Sequence, residues 1–281
     1  MNNNISELLN FYRALGVENL FSDTAICRFD AQINIAENAS ATAVSAAAVV
    51  AAAPVNSQNA AVMPAPKILP VTPPPSDAIK AAKALADSCT TLAELEKSVR
   101  EFDGIALKKT ATNTVFADGV ASAKVMLIGE APGAEEDEQG IPFCGASGQM
   151  LDQMLGLIGL SRKENFYITN TIFWRPPGNR RPTPEEMAIC RPFVEKHIAL
   201  INPALLILVG GTAVAALHDP RVAISKVRGT FFPYNATELE TEISTTAIFH
   251  PSYLLRSPGQ KRIAWHDLLT IRARLRSNAI I

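Results

Sequence analysis

Four residues in this chain of 281 have the types and settings for chemistry: Glu130, Phe143, Asn170 and His250. Glu130 ends the apolar run KVMLIGE (Lys124–Glu130), and Ala131-Pro132-Gly133 follows as a rigid turn with exposed backbone amides. The segment continues as GEAPGAEEDEQGIPFCGASGQMLD, Gly129 to Asp152, where Gly140, Gly145 and Gly148 permit close backbone approach to a ligand. Phe143 puts an aromatic ring into that loop. It reads either as a stacking surface for a flat ring or as a core residue beneath the loop. Glu130 reads as a fixed carboxylate at a ligand, or as a helix cap or structural ion pair. The acidic run Glu135–Glu138 reads mostly as a solvated face. No lysine stands where a phosphate-binding P-loop needs one, so that class is excluded.

The second segment is TNTIFWRPPGNRRPTPEE. The Asn170 amide carries a donor and an acceptor together. It suits a ring edge that offers a carbonyl beside an imide N–H, and it reads equally as a turn-capping asparagine. Arg175, Arg180 and Arg181 lie among prolines and glycine, as solvent-facing groups able to contact phosphates. The third segment is HPSYLLRSPGQKR, His250 to Arg262. A lone histidine is more often structural than catalytic. A histidine at a strand end, followed by Ser252, Arg256, Lys261 and Arg262, is a better candidate. Those residues form a basic patch concealed by the formal net charge of −1, and salt-dependent binding of a polyanion should come largely from them.

The elements that must position these residues follow from hydrophobic period. KVMLIGE, NFYITN (Asn165–Asn170), ALLILVG (Ala204–Gly210) and TAIFH (Thr246–His250) read as strands. Helices are expected over Asp77 to about Phe102, interrupted near Ser88–Thr91 with Thr91 and Glu94 as a capping box. Others are expected after Gly145, from Pro184 to about Ile201 with Thr183 as N-cap, over Gly211–Leu217, and from Gln260 to about Leu275. Strands separated by helical crossovers imply a parallel sheet covered on both faces. Ligands of such sheets bind beyond the carboxyl ends of the strands, where Glu130, Asn170 and His250 fall.

Residues 1–37 contain an amphipathic helix over 5–21, and 38–76 are an Ala- and Pro-rich stretch that reads as a disordered linker. Residues 77–281 are left as one catalytic domain. Hydrophobic residues make up 48%, enough for a sizeable core even after discounting the alanine-rich stretch. The start of the chain lacks the pattern of a signal peptide. The longest apolar run is broken by Ser and Pro, which argues against a membrane span. Cys27, Cys89, Cys144 and Cys190 form no CxxC pair and read as reduced thiols of a cytoplasmic protein.

Together the motifs GEAPGxxED…PFxGxxGxxLD, TNxxxxRPPGNRxPTPEE and HPSxLLRxPxxKR resemble the uracil-DNA glycosylase superfamily, specifically its bacterial and archaeal family 4, over about Phe102 to Arg274. The resemblance implies a three-layer α/β/α fold with a central four-stranded parallel sheet. It implies excision of uracil from DNA by a monofunctional enzyme, after the base is flipped out of the stack. By position, Phe143 would stack on the base, with Ala131 lining the same site, and Asn170 would read the base edge. Glu130 would activate water or stabilise charge, and His250 would stabilise charge developing on uracil O2. The Pro251–Arg262 loop would enter the DNA, with Ser252, Arg256, Lys261, Arg262, Arg175 and Arg180 as DNA contacts. A non-catalytic DNA-binding adaptor of the same fold, or a glycosylase for hypoxanthine or xanthine, remains open on sequence. The expected state is a monomer, and the N-terminal helix is a candidate for docking a protein partner.

The chain departs from the family at a cofactor. Family 4 members hold a 4Fe-4S cluster through four cysteines. Here Phe102 and Ile105 stand in the first two positions, Trp174 in the third, and only Cys190 keeps a ligand type. One thiolate cannot hold a cluster that needs four ligands. No cofactor is therefore expected, and Phe102, Ile105 and Trp174 should fill the space by apolar packing. Ser147 in place of the usual alanine should be harmless. No basic insert of the DNA-crosslinking branch follows the second motif.

Overall fold

The computed structural model describes residues 10, 75–236, 239 and 241–280. The expected N-terminal helix, apart from Asn10, and residues 38–74 of the expected linker lie outside them. The described chain opens with two helices, α1 (Pro75–Ser88) and α2 (Leu92–Glu101). Helix α1 starts two residues before the expected Asp77, at a proline whose fixed φ suits a first helical turn. Helix α2 is started by the expected capping box, Thr91 with Glu94.

Six strands follow: β1 (Ala117–Gly119), β2 (Val125–Gly129), β3 (Phe166–Asn170), β4 (Leu205–Val209), β5 (Phe232–Tyr234) and β6 (Ile243–Ile248). They form one sheet in the order β1-β3-β2-β4-β6-β5. The four inner strands are parallel, as expected, and β1 and β5 add antiparallel edges that the sequence reading lacked. Between them lie α3 (Ala134–Gln139), α4 (Ala146–Gly156), α5 (Pro184–Ile201), α6 (Gly211–Leu217), α7 (Ile224–Val227), α8 (Pro251–Arg256) and α9 (Lys261–Ser277).

Both faces of the sheet are covered, which is why the inner strands are apolar without alternation. Met126 and Ile128 face one core, packed by α1, α2, α5 and α6. Val125 and Leu127 face the other, packed by α4 and α9. Helix α1 buries Ala78, Ala82 and Ala86, a one-per-turn stripe of small residues that lets it lie close against α5. Strand β2 lies between β3 and β4, so the chain passes to one side of β2 and then to the other. The carboxyl ends at such a reversal are where open α/β sheets bind ligands.

Candidate active site

Each of the four parallel strands delivers a piece of one cleft at its carboxyl end. Glu130 follows β2, Asn170 ends β3, Gly210 and Thr212 follow β4, and His250 follows β6. The cleft measures about 1250 Å³ and is lined by Glu130, Ala131, Phe143, Asn170 and His250 among others. That exceeds the roughly 300–1,000 Å³ of a pocket for one small ligand.

The pocket floor depends on Gly129. A Cβ there would collide with the Phe143 ring and with Asn170 Oδ1. Its absence lets ring and amide meet over the strand end. Asn170 is buried, and its Oδ1 has no hydrogen-bond partner. A buried acceptor without a partner is costly, and its residue lines the cleft, where a ligand N–H can supply the missing bond. The Phe143 ring lies 5.7 Å from the His250 ring at an interplanar angle of 30°.

His250 caps helix α8. The Ser252 backbone N–H donates to His250 Nδ1 at 3.2 Å, with Ser252 Oγ 2.8 Å from the same nitrogen. The neutral ring therefore carries its proton on Nε2. Burial pushes this imidazole below the usual histidine range, and the charge of Glu130 offsets part of that shift. Glu130 is oriented by a residue the sequence reading missed. The Thr212 hydroxyl donates to Glu130 Oε2 at 2.5 Å, from the first turn of α6. A hydroxyl directly after the Gly210-Gly211 pair at a strand end was the available signal. The Thr171 hydroxyl also donates to the Glu130 carbonyl, at 2.6 Å, which fixes the turn.

The acidic run is not mostly a solvated face. Glu135 and Glu138 are exposed, but Glu136 accepts from the backbone N–H groups of Gly133 and Gly145. Asp137 is buried and accepts from those of Thr112 and Asn113. The Thr112 and Asn113 amides come from another segment and that of Gly145 from the next turn, which the local run of charge does not reveal.

The basic residues divide. Arg256 is exposed and lines the cleft, and Arg262 is exposed one turn beyond. Arg180 and Arg181 line its other wall, Arg180 in a two-bond pair with Glu186. Arg175 is half-buried rather than solvent-facing, donating to Asn179 Oδ1. Lys261 is 5% exposed and stands outside the cleft lining, so the basic patch of the third segment is presented by Arg256 and Arg262. Burial lowers the Lys261 pKa. Ser252 is half-buried and occupied with His250.

A family model described as the uracil DNA glycosylase superfamily matches residues 116–269. The chain belongs to that superfamily, in its type-4 branch. It is similar to a type-4 uracil-DNA glycosylase of Thermotoga maritima, 38% identical over 177 residues, 62% of this chain and 89% of that protein. One from Archaeoglobus fulgidus is 38% identical over 156 residues, 54% of this chain and 77% of that protein. A type-5 uracil-DNA glycosylase of Thermus thermophilus is 34% identical over 113 residues, 35% of this chain and 51% of that protein.

At the cluster positions of the family, the residues present do not suit iron. Phe102, Ile105 and Trp174 are all buried, none more than 4% exposed. The Phe102 ring folds over Gly104 and meets Phe193 edge-on at 5.2 Å. The Trp174 indole N–H donates to Thr114 Oγ1 at 3.0 Å. Cys190 is fully buried, and burial raises its thiol pKa, which opposes the thiolate form that iron binds.

Proposed function

We propose that this chain hydrolyses the N-glycosidic bond of uracil in DNA, releasing the base and leaving an abasic site. The observation that carries the reading is the unpartnered Asn170 Oδ1, buried beside Phe143 and His250. Uracil presents an imide N–H that donates to this oxygen, and its adjacent carbonyl accepts from the same amide. Phe143 stacks on the base. The N-glycosidic electron pair leaves with uracil, and negative charge spreads to its carbonyl oxygens, where His250 Nε2–H donates. Water adds to the sugar carbon and gives up a proton, with the Glu130 carboxylate stabilising the cationic sugar or receiving that proton. Fixed donors and charges of this kind need no reorganisation at the moment of reaction.

Incubating the purified protein with a uracil-containing oligonucleotide, then cleaving abasic sites with alkali, should yield the shortened strand. An intact strand after prolonged incubation would leave only the adaptor reading or another base. Phe143→Ala should lose stacking worth about 1–3 kcal/mol. Asn170→Asp should weaken discrimination for uracil, because a carboxylate cannot donate to its carbonyl. Excision unchanged in both variants would mean that the base binds elsewhere.

We propose further that the chain folds and acts without an iron–sulfur cluster. Burial of large apolar side chains contributes about 1.5–3 kcal/mol each, so Phe102, Ile105 and Trp174 can fasten this corner by packing. Protein purified anaerobically should be colourless, and Cys190→Ala should be mild. Iron and labile sulfide at about four per chain would overturn this.

A further inference from the structure

Phe143 occupies a backbone conformation that its side chain disfavours. Its φ is 53°, in the left-handed region, where a Cβ crowds the neighbouring carbonyl. Such a conformation persists only where its surroundings hold it. Two contacts do so. Helix α4 presses Gly148 against the Phe143 carbonyl so closely that a Cβ on that glycine would collide with the oxygen. The second contact is Arg162, in the loop that leads into β3. Its Nη1 donates to the Pro142 carbonyl at 2.7 Å and its Nη2 to the Phe143 carbonyl at 2.9 Å.

The guanidinium is itself aimed. Asp118, on the edge strand β1, accepts from Nη1 at 3.0 Å. Asp152, the last residue of the first motif, accepts from Nη2 at 3.0 Å and Nε at 3.3 Å. Arg162 is only 14% exposed in its side chain, so solvent competes weakly for these bonds. All three nitrogens are in use. The planar fork suits two adjacent carbonyls together with two carboxylates, which a lysine ammonium cannot reproduce. This also gives β1 and Asp152 a role in the site, although neither touches the cleft lining.

We infer that Arg162 is a positioning residue for uracil recognition. It locks Phe143 in its left-handed conformation and so presents the ring as a preformed stacking surface, with Asp118 and Asp152 orienting the guanidinium. The inference rests on the uracil reading of the cleft. Arg162 touches neither base nor sugar and acts only through the loop.

The test is a double-mutant cycle on the full chain, using a uracil-containing oligonucleotide, with inhibition by free uracil and binding of a uracil-free oligonucleotide as further readouts. Arg162→Gln should lower kcat/KM by about 10- to 100-fold, no more than the loss of the stacking ring itself, since Arg162 acts only through that ring. It should weaken inhibition by free uracil in parallel and leave binding of the uracil-free strand unchanged. Arg162→Lys should fall between wild type and Arg162→Gln. The variant Phe143→Ala with Arg162→Gln should be no slower than Phe143→Ala alone, because the ring that Arg162 positions is already gone. Wild-type kinetics in Arg162→Gln, or losses that multiply in the double variant, would overturn the inference. If Arg162→Gln does not fold, Asp118→Asn in the same cycle decides it, with a smaller loss expected. An Phe143→Ala variant as active as wild type would instead remove the uracil reading of the cleft, a separate failure seen in the single variant.

Discussion

His250→Ala should slow single-turnover uracil excision by about 10²–10³-fold, the scale of one lost donor to a developing oxyanion. Affinity for uracil-containing DNA should change far less, because the exposed arginines proposed to hold phosphates, Arg256 at the cleft and Arg262 beyond it, are separate from the imidazole. The geometry supports a donor rather than a proton carrier. With Nδ1 accepting from the Ser252 N–H, the ring is fixed in one tautomer, and burial keeps it neutral below the usual histidine pKa. Neighbours restrict it further. Gly210 has φ 98°, and a Cβ there would stand 3.1 Å from His250 Cβ, so a side chain at that position would push the imidazole away. Arg228 stacks over the ring of Phe249, the preceding residue, at 5.1 Å. Ser252→Ala removes only the hydroxyl contact and leaves the backbone donor, so its loss should be clearly smaller. A His250→Ala enzyme that binds uracil DNA poorly yet cleaves at the wild-type rate would remove the catalytic assignment.

Much of this site was legible because it is built from short motifs at strand ends. Glu130, Asn170 and His250 each follow an apolar run whose period and length mark a buried strand, and the parallel arrangement brings those ends together. The capping box at Thr91 and the N-cap at Thr183 were legible for the same reason, since their signal spans a few neighbouring residues. Interactions that depend on distant pairing were not. Strands β1 and β5 are three residues each and contain Gly119 and Pro233, residues poor in strands. They exist because β3 and β6 offer them partners. The burial of Asp137 and Lys261, the Thr212 contact to Glu130 and the Arg162 cluster likewise join residues far apart in sequence. Charge in a local window says nothing about which backbone amides will arrive beside it.

The second large effect concerns stability in acid. His197 lies on the buried stripe of α5 with Phe193, Val194 and Ile201. Its ring stacks on Phe116 at 4.5 Å and 12°, its Nε2 lies 2.9 Å from the Tyr167 hydroxyl, and its Nδ1 has no partner. Protonation would put a charge where neither water nor a carboxylate meets it. Burial accordingly lowers the His197 pKa to about 3. The unfolded chain protonates this histidine near the ordinary value of about 6.5. Below that pH the unfolded state binds the extra proton and the folded state does not, so stability must fall with falling pH. The contribution is constant above about pH 6.5 and declines by about 1.4 kcal/mol per pH unit until the folded pKa is reached. Between pH 7 and pH 4.5 the loss amounts to about 2–3 kcal/mol. Other groups also make stability depend on pH, burial lowering the His250 pKa and raising those of half-buried Asp152 and buried Asp267. The measurement is therefore a comparison. Urea unfolding at several pH values should give a shallower acid slope for His197→Gln than for the wild type, with the other groups cancelling. Glutamine keeps a polar atom for Tyr167 but adds no titrating group, so its stability should be lower near neutrality and converge on the wild type in acid. Parallel slopes for the two proteins would mean that His197 takes up its proton in the folded state.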